Sequence, residues 1–317
     1  MFYWTAFRRH SSIAGMKHLM LQILWFTCLV PSLQAREIAL TSDDCPRKVS
    51  TMMSGMERAH KLTSELKKAN VQQVAFFCNS PSRSTDGVER LNVFANAGHL
   101  IANHSVNHAD LHKVPVDEFI QGIDLADQEL KHFPNFKKWF RFPYLHEGKN
   151  SKDVEAVRAH LKKIGYMNGY VTVDSEDWFT NEVLVQGVDA GKKFHQQRLC
   201  EAYTDMIADD AELFDGMSVK AIGRSVKHVL LLHETDLNAI CIGEVVRGLR
   251  KKQWKIISPD EAYTDPIAQI EPVSTTILNQ GRVHALAKQL GYGGPFFSKW
   301  NEEENIEKEF IRRKIWK

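Results

Sequence analysis

The sequence predicts an α/β protein built on a parallel sheet that closes into a barrel. Segments with strand periodicity alternate with segments with helix periodicity along most of the chain, which is typical of a parallel sheet with helical crossovers. The segment "HVLLLHE" at 228–234 holds an unbroken apolar run, as expected for a strand that is buried on both faces. Polar residues directly follow several strands, which is where parallel α/β barrels carry their active sites.

The individual elements follow from hydrophobic periodicity and from turn residues. Strands are predicted at 36–42, 71–79, 99–105, 138–144, 166–175, 228–234 and 254–258. Helices are predicted at 55–69, 87–98, 115–132, 151–164 and about 240–252. Pro115 begins the third helix, where its missing N–H removes no helical hydrogen bond. Two segments lie outside the repeat: a partly helical insertion at 181–225 and a C-terminal extension at 266–317.

The charge balance gives no indication of a nucleic-acid-binding protein. The formal charge of +2 falls to −1 when residues 1–35, which carry three basic residues and no acid, are left out. A nucleic-acid-binding domain usually shows a strongly basic footprint. We therefore expect no nucleic-acid partner.

Residues 1–35 are predicted to be an export signal. Basic residues up to Lys17 precede the apolar run "LMLQILWFTCLV", and the segment ends in the small residue Ala35; this is the order of a secretory signal peptide. The alternative is a membrane anchor, but the apolar run has 12 residues, against about 20 needed to span a bilayer. We expect cleavage after Ala35, no stable membrane span afterwards, and an exported protein, periplasmic or secreted.

The cysteines of the mature chain show no zinc-binding spacing. Cys45, Cys78, Cys200 and Cys241 form no C-x-x-C pair. One or two disulfides are possible in an oxidising compartment, although four scattered cysteines in a large domain are more often free and buried.

Polar clusters follow five of the predicted strands, and each has an ordinary structural explanation when taken alone. An acid pair after a strand is often a helix cap, and a histidine after three leucines is often a core residue. Two histidines four residues apart share one face of a helical turn, which alone is weak evidence for a metal. Taken together, however, the five clusters place polar groups, whose burial is energetically unfavourable, at one end of a single sheet. The clusters are Asp43–Asp44, His104 with His108, Arg141 with Tyr144, Asp177 with Trp178, and His233.

The ordered set T-x-D-D, H-S-x-x-H, R-x-P-Y, D-x-x-D-W and L-x-L-x-H resembles the motifs of the NodB-like polysaccharide deacetylases, carbohydrate esterase family four. The motifs occur in the family's order between about 37 and 260. The resemblance implies a distorted (β/α) barrel that removes acetyl groups from N-acetylated sugars with one divalent metal. It places the catalytic domain at 36–265, with the insertion at 181–225 inside it.

The resemblance also implies a metal site and a catalytic base. Asp44, His104 and His108 would be the metal ligands, with zinc as the expected metal, because one carboxylate and two imidazoles leave positions open for water and substrate. Asp43 would be the base that accepts the proton of the attacking water. Arg141 would pair with Asp43 and keep it ionised. His99 and His112, outside the motif, are interpreted as structural or surface residues.

The remaining roles concern the leaving group and the substrate. By the resemblance, the backbone N–H of Tyr144 would help to stabilise the tetrahedral oxyanion together with the metal. His233 would protonate the departing amine, with its charge supported by Asp177. Trp178 and Leu231 would form apolar walls around the acetyl methyl group and the sugar face.

The first motif departs from the family's usual T-F-D-D-G-P. This chain has "TSDDCP", with Ser42 in place of an aromatic residue and Cys45 in place of a glycine. The glycine's freedom to adopt positive φ is therefore not required at position 45. The thiol of Cys45 is placed beside the expected metal site, where it could bind a soft metal or be oxidised.

Three functions are compatible with these patterns. The first is a hydrolase acting on carbon–nitrogen bonds other than peptide bonds, which deacetylates N-acetylglucosamine units of a polysaccharide, with peptidoglycan ahead of chitooligosaccharides. The second is an O-acetyl esterase that uses the same site. The third is a catalytically silent carbohydrate-binding protein, against which the presence of Asp43 and His233 argues.

Overall fold

The computed structural model describes Met1, residues 36–273 and residues 280–317. The predicted export signal therefore lies, apart from Met1, outside the described residues. No helix among those described has the length and apolarity needed to cross a membrane.

The strands of the sheet follow the predicted order, although several are shorter than predicted. They are β1 (Arg36–Cys45), β2 (Ala75–Cys78), β3 (Leu100–Asn103), β4 (Phe136–Phe140), β5 (Met167–Asn168), β6 (Lys227–His233) and β7 (Trp254–Ile257). The helices are α1 (Gly55–Lys68), α2 (Gly87–Asn96), α3 (Val116–Leu130), α4 (Ser151–Lys163), α5 (Asp177–Asp189), α6 (Gln196–Ile222), α7 (Asp236–Lys251), α8 (Pro259–Ala262), α9 (Arg282–Gln289) and α10 (Glu303–Arg312).

The strands form one parallel sheet in the order β5-β4-β3-β2-β1-β6. β7 pairs with the first residues of β1, at Arg36–Ala39, and β2 pairs with its last residues. Beyond β5 the chain reaches back to β6 through a bridge between Val173 and Leu230. The sheet thus curls round and closes through a single bridge rather than a full ladder. The predicted α/β fold with a distorted barrel is confirmed.

The predicted strand at 166–175 is interrupted because the chain must bend to close the barrel. Only Met167 and Asn168 pair with β4, and pairing resumes at Val173 on β6. Between them lies Gly169, where a Cβ atom would stand 2.3 Å from the ring of Phe77. A side chain at this position would therefore collide with the barrel interior.

Burial patterns explain the strands and helices that hold the site. Every residue of β2 is buried, as are Ile38–Ser42 of β1, so the middle of the sheet excludes water on both faces. α1 begins with a capping box, in which the Ser54 side chain accepts from the Glu57 N–H and Glu57 accepts from the Ser54 N–H. Such reciprocal capping satisfies two donors that a helix start would otherwise leave unpaired.

Residues 181–225 are helical at 36 of their 45 positions. They contain most of α5 and all of α6, and α6 packs against α7 and α9. A disulfide joins Cys200 on α6 to Cys241 on α7, so the expectation of free cysteines is wrong for this pair. The loop it closes spans 41 residues, for which chain entropy predicts a stabilisation of about 4 kcal/mol. Cys45 and Cys78 are buried free thiols.

Candidate metal centre and active site

The predicted site residues meet where the strands end. β1 carries Asp43 and Asp44, and β6 ends at His233, which pairs in register with Asp43. His104 follows β3 directly, and Arg141 follows β4 directly. The parallel sheet therefore brings together residues that are up to 190 positions apart in the chain.

Among the three predicted metal ligands, the two imidazoles lie close to one carboxylate oxygen of Asp44. Asp44 Oδ1 lies 3.2 Å from His108 Nε2 and 3.6 Å from His104 Nε2. One donor atom from each residue lies within 4.8 Å of the other two. The His104 side chain is 2% exposed, and those of Asp44 and His108 are about one-fifth exposed. The group is thus open to solvent on one side only.

Hydrogen bonds fix the ring of His104 and the backbone of the loop that carries His108. His104 Nδ1 lies 2.9 Å from the carbonyl oxygen of Arg141. A carbonyl only accepts, so Nδ1 carries the proton and Nε2 presents its lone pair towards Asp44. The His108 N–H donates to Ser105 Oγ, and Asn79 Nδ2 donates to the carbonyls of His104 and Ser105. The loop 104–108 is therefore held by an internal hydrogen bond and by Asn79.

Unusual backbone conformations are concentrated at the ligands. Asp44, Ser105 and His108 have φ values of 65°, 65° and 57°. Non-glycine residues rarely adopt positive φ, and those that do are common in binding and active sites. In the first motif the positive φ falls on Asp44 rather than on Cys45, which is consistent with the replacement of the family's glycine.

The electrostatics of the group suit a divalent cation. Burial on its own would raise the pKa of Asp44, but His233, the two ligand imidazoles and Arg47 hold the pKa well below its ordinary value. Burial lowers the pKa of His104 and of His108 to about 4, so both rings are neutral near pH 7. Asp44 Oδ1 is buried and receives no hydrogen bond from the described residues. A carboxylate with an unpaired oxygen beside two neutral imidazoles fits the donor set of a metal site.

Asp43 and Arg141 form a buried ion pair beside the ligands. Arg141 Nη1 donates to Asp43 Oδ1 at 2.6 Å, and the two side chains are 1% and 3% exposed. Burial raises the pKa of Asp43 to about 6 against the opposing effect of Arg141. The guanidinium is itself fixed by hydrogen bonds to Gly169 O, Thr41 Oγ1 and Tyr263 OH. Asp43 is therefore a positioned base with a pKa close to neutrality, which suits proton transfer.

His233 and Asp177 form a second pair across the site. Asp177 accepts from His233 Nδ1 at 2.6 Å and from the His233 backbone N–H at 2.8 Å. Burial on its own would lower the pKa of His233, but the Asp177 carboxylate outweighs burial and raises the pKa to about 9. Asn238 Nδ2 also donates to Asp177. His233 is thus a charged proton donor at neutral pH.

The predicted substrate-contacting residues lie in three different environments. Tyr144 is 54% exposed, has φ 57°, and its ring stands edge-on to His108 at 4.5 Å. Trp178 lies in the first turn of α5, half-buried, with its ring 5.7 Å from that of Phe179. Leu231 is 6% exposed and packs with Leu145 and Val171. Their roles towards a substrate stay predictions.

Residues 31–168 match the sequence profile of the polysaccharide deacetylase family. The match covers 138 of the 317 residues of the chain. The match agrees with the family that the motifs predict. The matched range includes the Asp43–Arg141 pair and the three ligands, whereas Asp177 and His233 lie beyond it.

The chain is also similar to a curated protein. The chain is 30% identical, over 159 residues, to a peptidoglycan-N-acetylglucosamine deacetylase of Bacillus cereus. The alignment covers 47% of this chain and 51% of that protein, so the chain spans about half the length of its curated relative.

Two solved structures are similar at lower identity. A family 4 carbohydrate esterase from Streptomyces lividans in complex with acetate is 20% identical, with a TM-score of 0.46, and the match covers 72% of this chain and 95% of the other. A peptidoglycan N-acetylglucosamine deacetylase in complex with a substituted benzamide is 19% identical, with a TM-score of 0.49 and coverage of 72% and 88%.

Several residues that shape the deacetylase site were not predicted. Arg47 donates to Asp44 Oδ2 at 2.5 Å, and Tyr263 bonds Arg141 from the segment after α8. The loop after Asp44 is hydrogen-bonded to Glu234, whose carboxylate accepts from the Arg47 backbone N–H and from the Arg90 side chain. The run of His233, Glu234 and Thr235 at the end of β6 was a possible signal for Glu234, since a further acid follows the motif histidine. Nothing in the local sequence identifies Tyr263.

Proposed function

We propose that this protein is a metal-dependent hydrolase that removes N-acetyl groups from N-acetylglucosamine units of peptidoglycan. The observation that carries the proposal is the convergence of a neutral two-histidine, one-carboxylate group with a base pair, Asp43–Arg141, and an acid pair, His233–Asp177. The B. cereus relative, a peptidoglycan-N-acetylglucosamine deacetylase, supports the choice of substrate.

Asp43 and Arg141 would activate water. With a pKa of about 6, Asp43 is mostly ionised at neutral pH and can accept a proton from a water molecule that attacks the acetyl carbonyl. Arg141 holds the carboxylate through Oδ1, which leaves Oδ2 directed towards the ligand side, 3.7 Å from His104 Nε2. Oδ2 is therefore the oxygen that takes the proton.

His233 would complete the reaction at the other side of the scissile bond. Hydrolysis of the amide releases acetate and an amine, and the amine nitrogen must gain a proton as the bond breaks. His233 is protonated at neutral pH through its pair with Asp177, so it can supply that proton. The backbone N–H of Tyr144, in a turn with positive φ, would donate to the oxyanion.

The proposed metal is zinc, held by Asp44, His104 and His108. When bound, a divalent cation supplies a Lewis acid that polarises the acetyl carbonyl and lowers the pKa of water. Two imidazole nitrogens with one carboxylate oxygen form a set typical of catalytic zinc sites. Asp44 Oδ1, which is buried without a hydrogen bond from the described residues, supports this assignment, as does His104, whose ring is oriented by the Arg141 carbonyl.

The function is tested by acetate release from peptidoglycan, chitooligosaccharide and acetylated xylan, measured on protein stripped with chelator and then supplied with zinc. We expect release to be fastest from peptidoglycan, lost with chelator and restored by zinc. His104→Ala and His108→Ala should lose both zinc and activity, whereas His60→Ala, at an exposed position of α1, should keep both.

Other outcomes would replace the proposal. Release from acetylated xylan alone would identify an O-acetyl esterase, and preference for the short oligosaccharide a chitooligosaccharide deacetylase. Metal-loaded protein that binds a glycan but releases acetate from none would be a carbohydrate-binding protein. Unchanged zinc content in both histidine variants would contradict the ligand assignment.

We also propose that the protein is exported to the periplasm or secreted after cleavage following Ala35. The Cys200–Cys241 disulfide supports this, because disulfides form and persist mainly in oxidising compartments. N-terminal sequencing of the exported protein should give Arg36 as the first residue. An uncleaved N-terminus on membrane-bound protein would instead identify residues 1–35 as an anchor.

A further inference from the structure

A second group of metal-type ligands lies outside the deacetylase motifs. Asp110 and His112 belong to the loop that follows His108, and His146 follows the turn that carries Tyr144. We propose that these three residues form a second binding site for a divalent transition metal, which joins the two loops. This proposal does not depend on the enzymatic activity.

The geometry of the group meets the first requirement of a metal site. One donor atom from each of the three residues lies within 4.8 Å of the others. Asp110 Oδ1 and His146 Nδ1 are 2.8 Å apart, a hydrogen-bond distance that would widen to about 3.3–3.6 Å when both atoms bind one tetrahedral zinc ion. The rings of His112 and His146 stack at 3.8 Å with an interplanar angle of 12°. Asp110 is 8% exposed, so its carboxylate is held in place by the surrounding structure rather than lying free on the surface.

The protonation pattern meets the second requirement. His112 Nε2 lies 3.0 Å from Gly148 O, and since a carbonyl only accepts, Nε2 carries the proton and Nδ1 keeps its lone pair. A backbone carbonyl that fixes the second nitrogen of an imidazole is the usual support of a metal-bound histidine. Here it repeats the contact between His104 and Arg141 O. His112 therefore offers a neutral nitrogen ligand.

The charges around the group favour one bound cation. Asp110 supplies the one carboxylate of the group, beside two imidazoles. Lys113 Nζ, on a side chain that is 78% exposed, approaches Asp110 Oδ2 at 3.4 Å. Asp110 Oδ1 accepts from the His112 backbone N–H at 2.9 Å and faces His146. A bound cation would replace the direct contact between His146 Nδ1 and Asp110 Oδ1.

The position of the site indicates what it does. The His146 ring lies 5.8 Å from the Tyr144 ring, which in turn lies 4.5 Å from the ring of His108. Asp110 and His112 continue the loop of His104 and His108, while His146 continues the turn of Tyr144. A metal at the second site would hold these two loops together and so fix the Tyr144 backbone relative to the first ligand group.

The test is zinc content, measured by mass spectrometry after equilibration with zinc and gel filtration. We expect two equivalents in the wild type and one in the isosteric variant Asp110→Asn or in His146→Ala. The double variant His104→Ala/His108→Ala, which lacks the first site, should keep one equivalent and lose it when His146→Ala is added. The control His160→Ala should keep two, because His160 pairs with Asp124 at 2.7 Å but neither belongs to a three-ligand group among the described residues.

The outcomes separate the two sites. One equivalent in the wild type that disappears in His104→Ala/His108→Ala would overturn the second site and leave the first intact. Two equivalents in both Asp110→Asn and His146→Ala would also overturn it. Circular dichroism identifies folded variants, and a zinc-induced rise of the melting temperature in His104→Ala/His108→Ala, absent after Asp110→Asn is added, would support the site independently.

Discussion

Asp43→Asn is expected to lower turnover on an N-acetylated substrate by about 10²–10⁴-fold, the usual contribution of a positioned general base, while zinc stays bound. The amide has nearly the same shape and can still accept from Arg141, but it cannot take a proton from water. The ligands Asp44, His104 and His108 are unchanged. The measurements are kcat on a soluble acetylated oligosaccharide and zinc content of the same preparation.

The matched control is Asp260→Asn, which removes an exposed carboxylate from its ion pair with Lys137. This variant should keep wild-type turnover. Because Asp43→Asn leaves the buried Arg141 without its counter-ion, its unfolding free energy should be lower, and kcat must be compared on folded protein. Loss of zinc in a folded Asp43→Asn protein would show that Asp43 is a ligand, and an unchanged kcat would remove it from the mechanism.

His233→Ala should slow turnover by a similar factor of about 10²–10⁴, through the leaving group rather than through water. The wild-type pKa of about 9 means that His233 holds its proton below pH 9 and loses it above. Activity should therefore decline on the alkaline side near pH 9, and this decline should be absent in His233→Ala. Asp177→Asn, which removes the carboxylate that raises the pKa, should move the decline to lower pH.

A substrate with a good leaving group distinguishes the two residues. A leaving group that departs without protonation needs no acid, so it should restore turnover in His233→Ala but not in Asp43→Asn. Equal rescue of both variants, or of neither, would contradict the assigned roles. Asn238→Ala is a comparison for Asp177→Asn: it removes a hydrogen bond to Asp177 but keeps the Asp177 carboxylate, and Asn238 itself does not titrate.

The element order and sheet type could be predicted because they depend on local pattern. The buried run of β6 and the alternation of strands and helices are visible in the sequence alone. The break at Gly169 could not be predicted, since it depends on the ring of Phe77 on β2, nearly a hundred residues earlier. The Cys200–Cys241 pairing likewise depends on how α6 packs on α7.

The proposed ligand and acid–base residues could be predicted because their spacing repeats a family pattern. The residues that hydrogen-bond to them and hold them in place could not be predicted. Tyr263, which bonds Arg141, lies 122 positions away in a segment without a motif. Asp110 and His112 stand next to the second motif, yet their association with His146 appears only when the loops after β3 and β4 come together. Sequence reasoning consequently placed His112 among structural or surface residues.

β1 has partners along both edges, with β6 on one side and β7 and β2 sharing the other. Its amide protons should therefore exchange with deuterium from solvent only through the largest openings of the native state, whereas loop amides exchange through small local ones. Asp43, which pairs in register with His233, thus stands on the most slowly opening part of the chain. Asp44 lies where the register with β2 shifts, and His104 and His108 stand on a loop. Local fluctuations of the native state would therefore loosen the group of Asp44, His104 and His108 first, while Asp43 keeps its place until the whole domain unfolds.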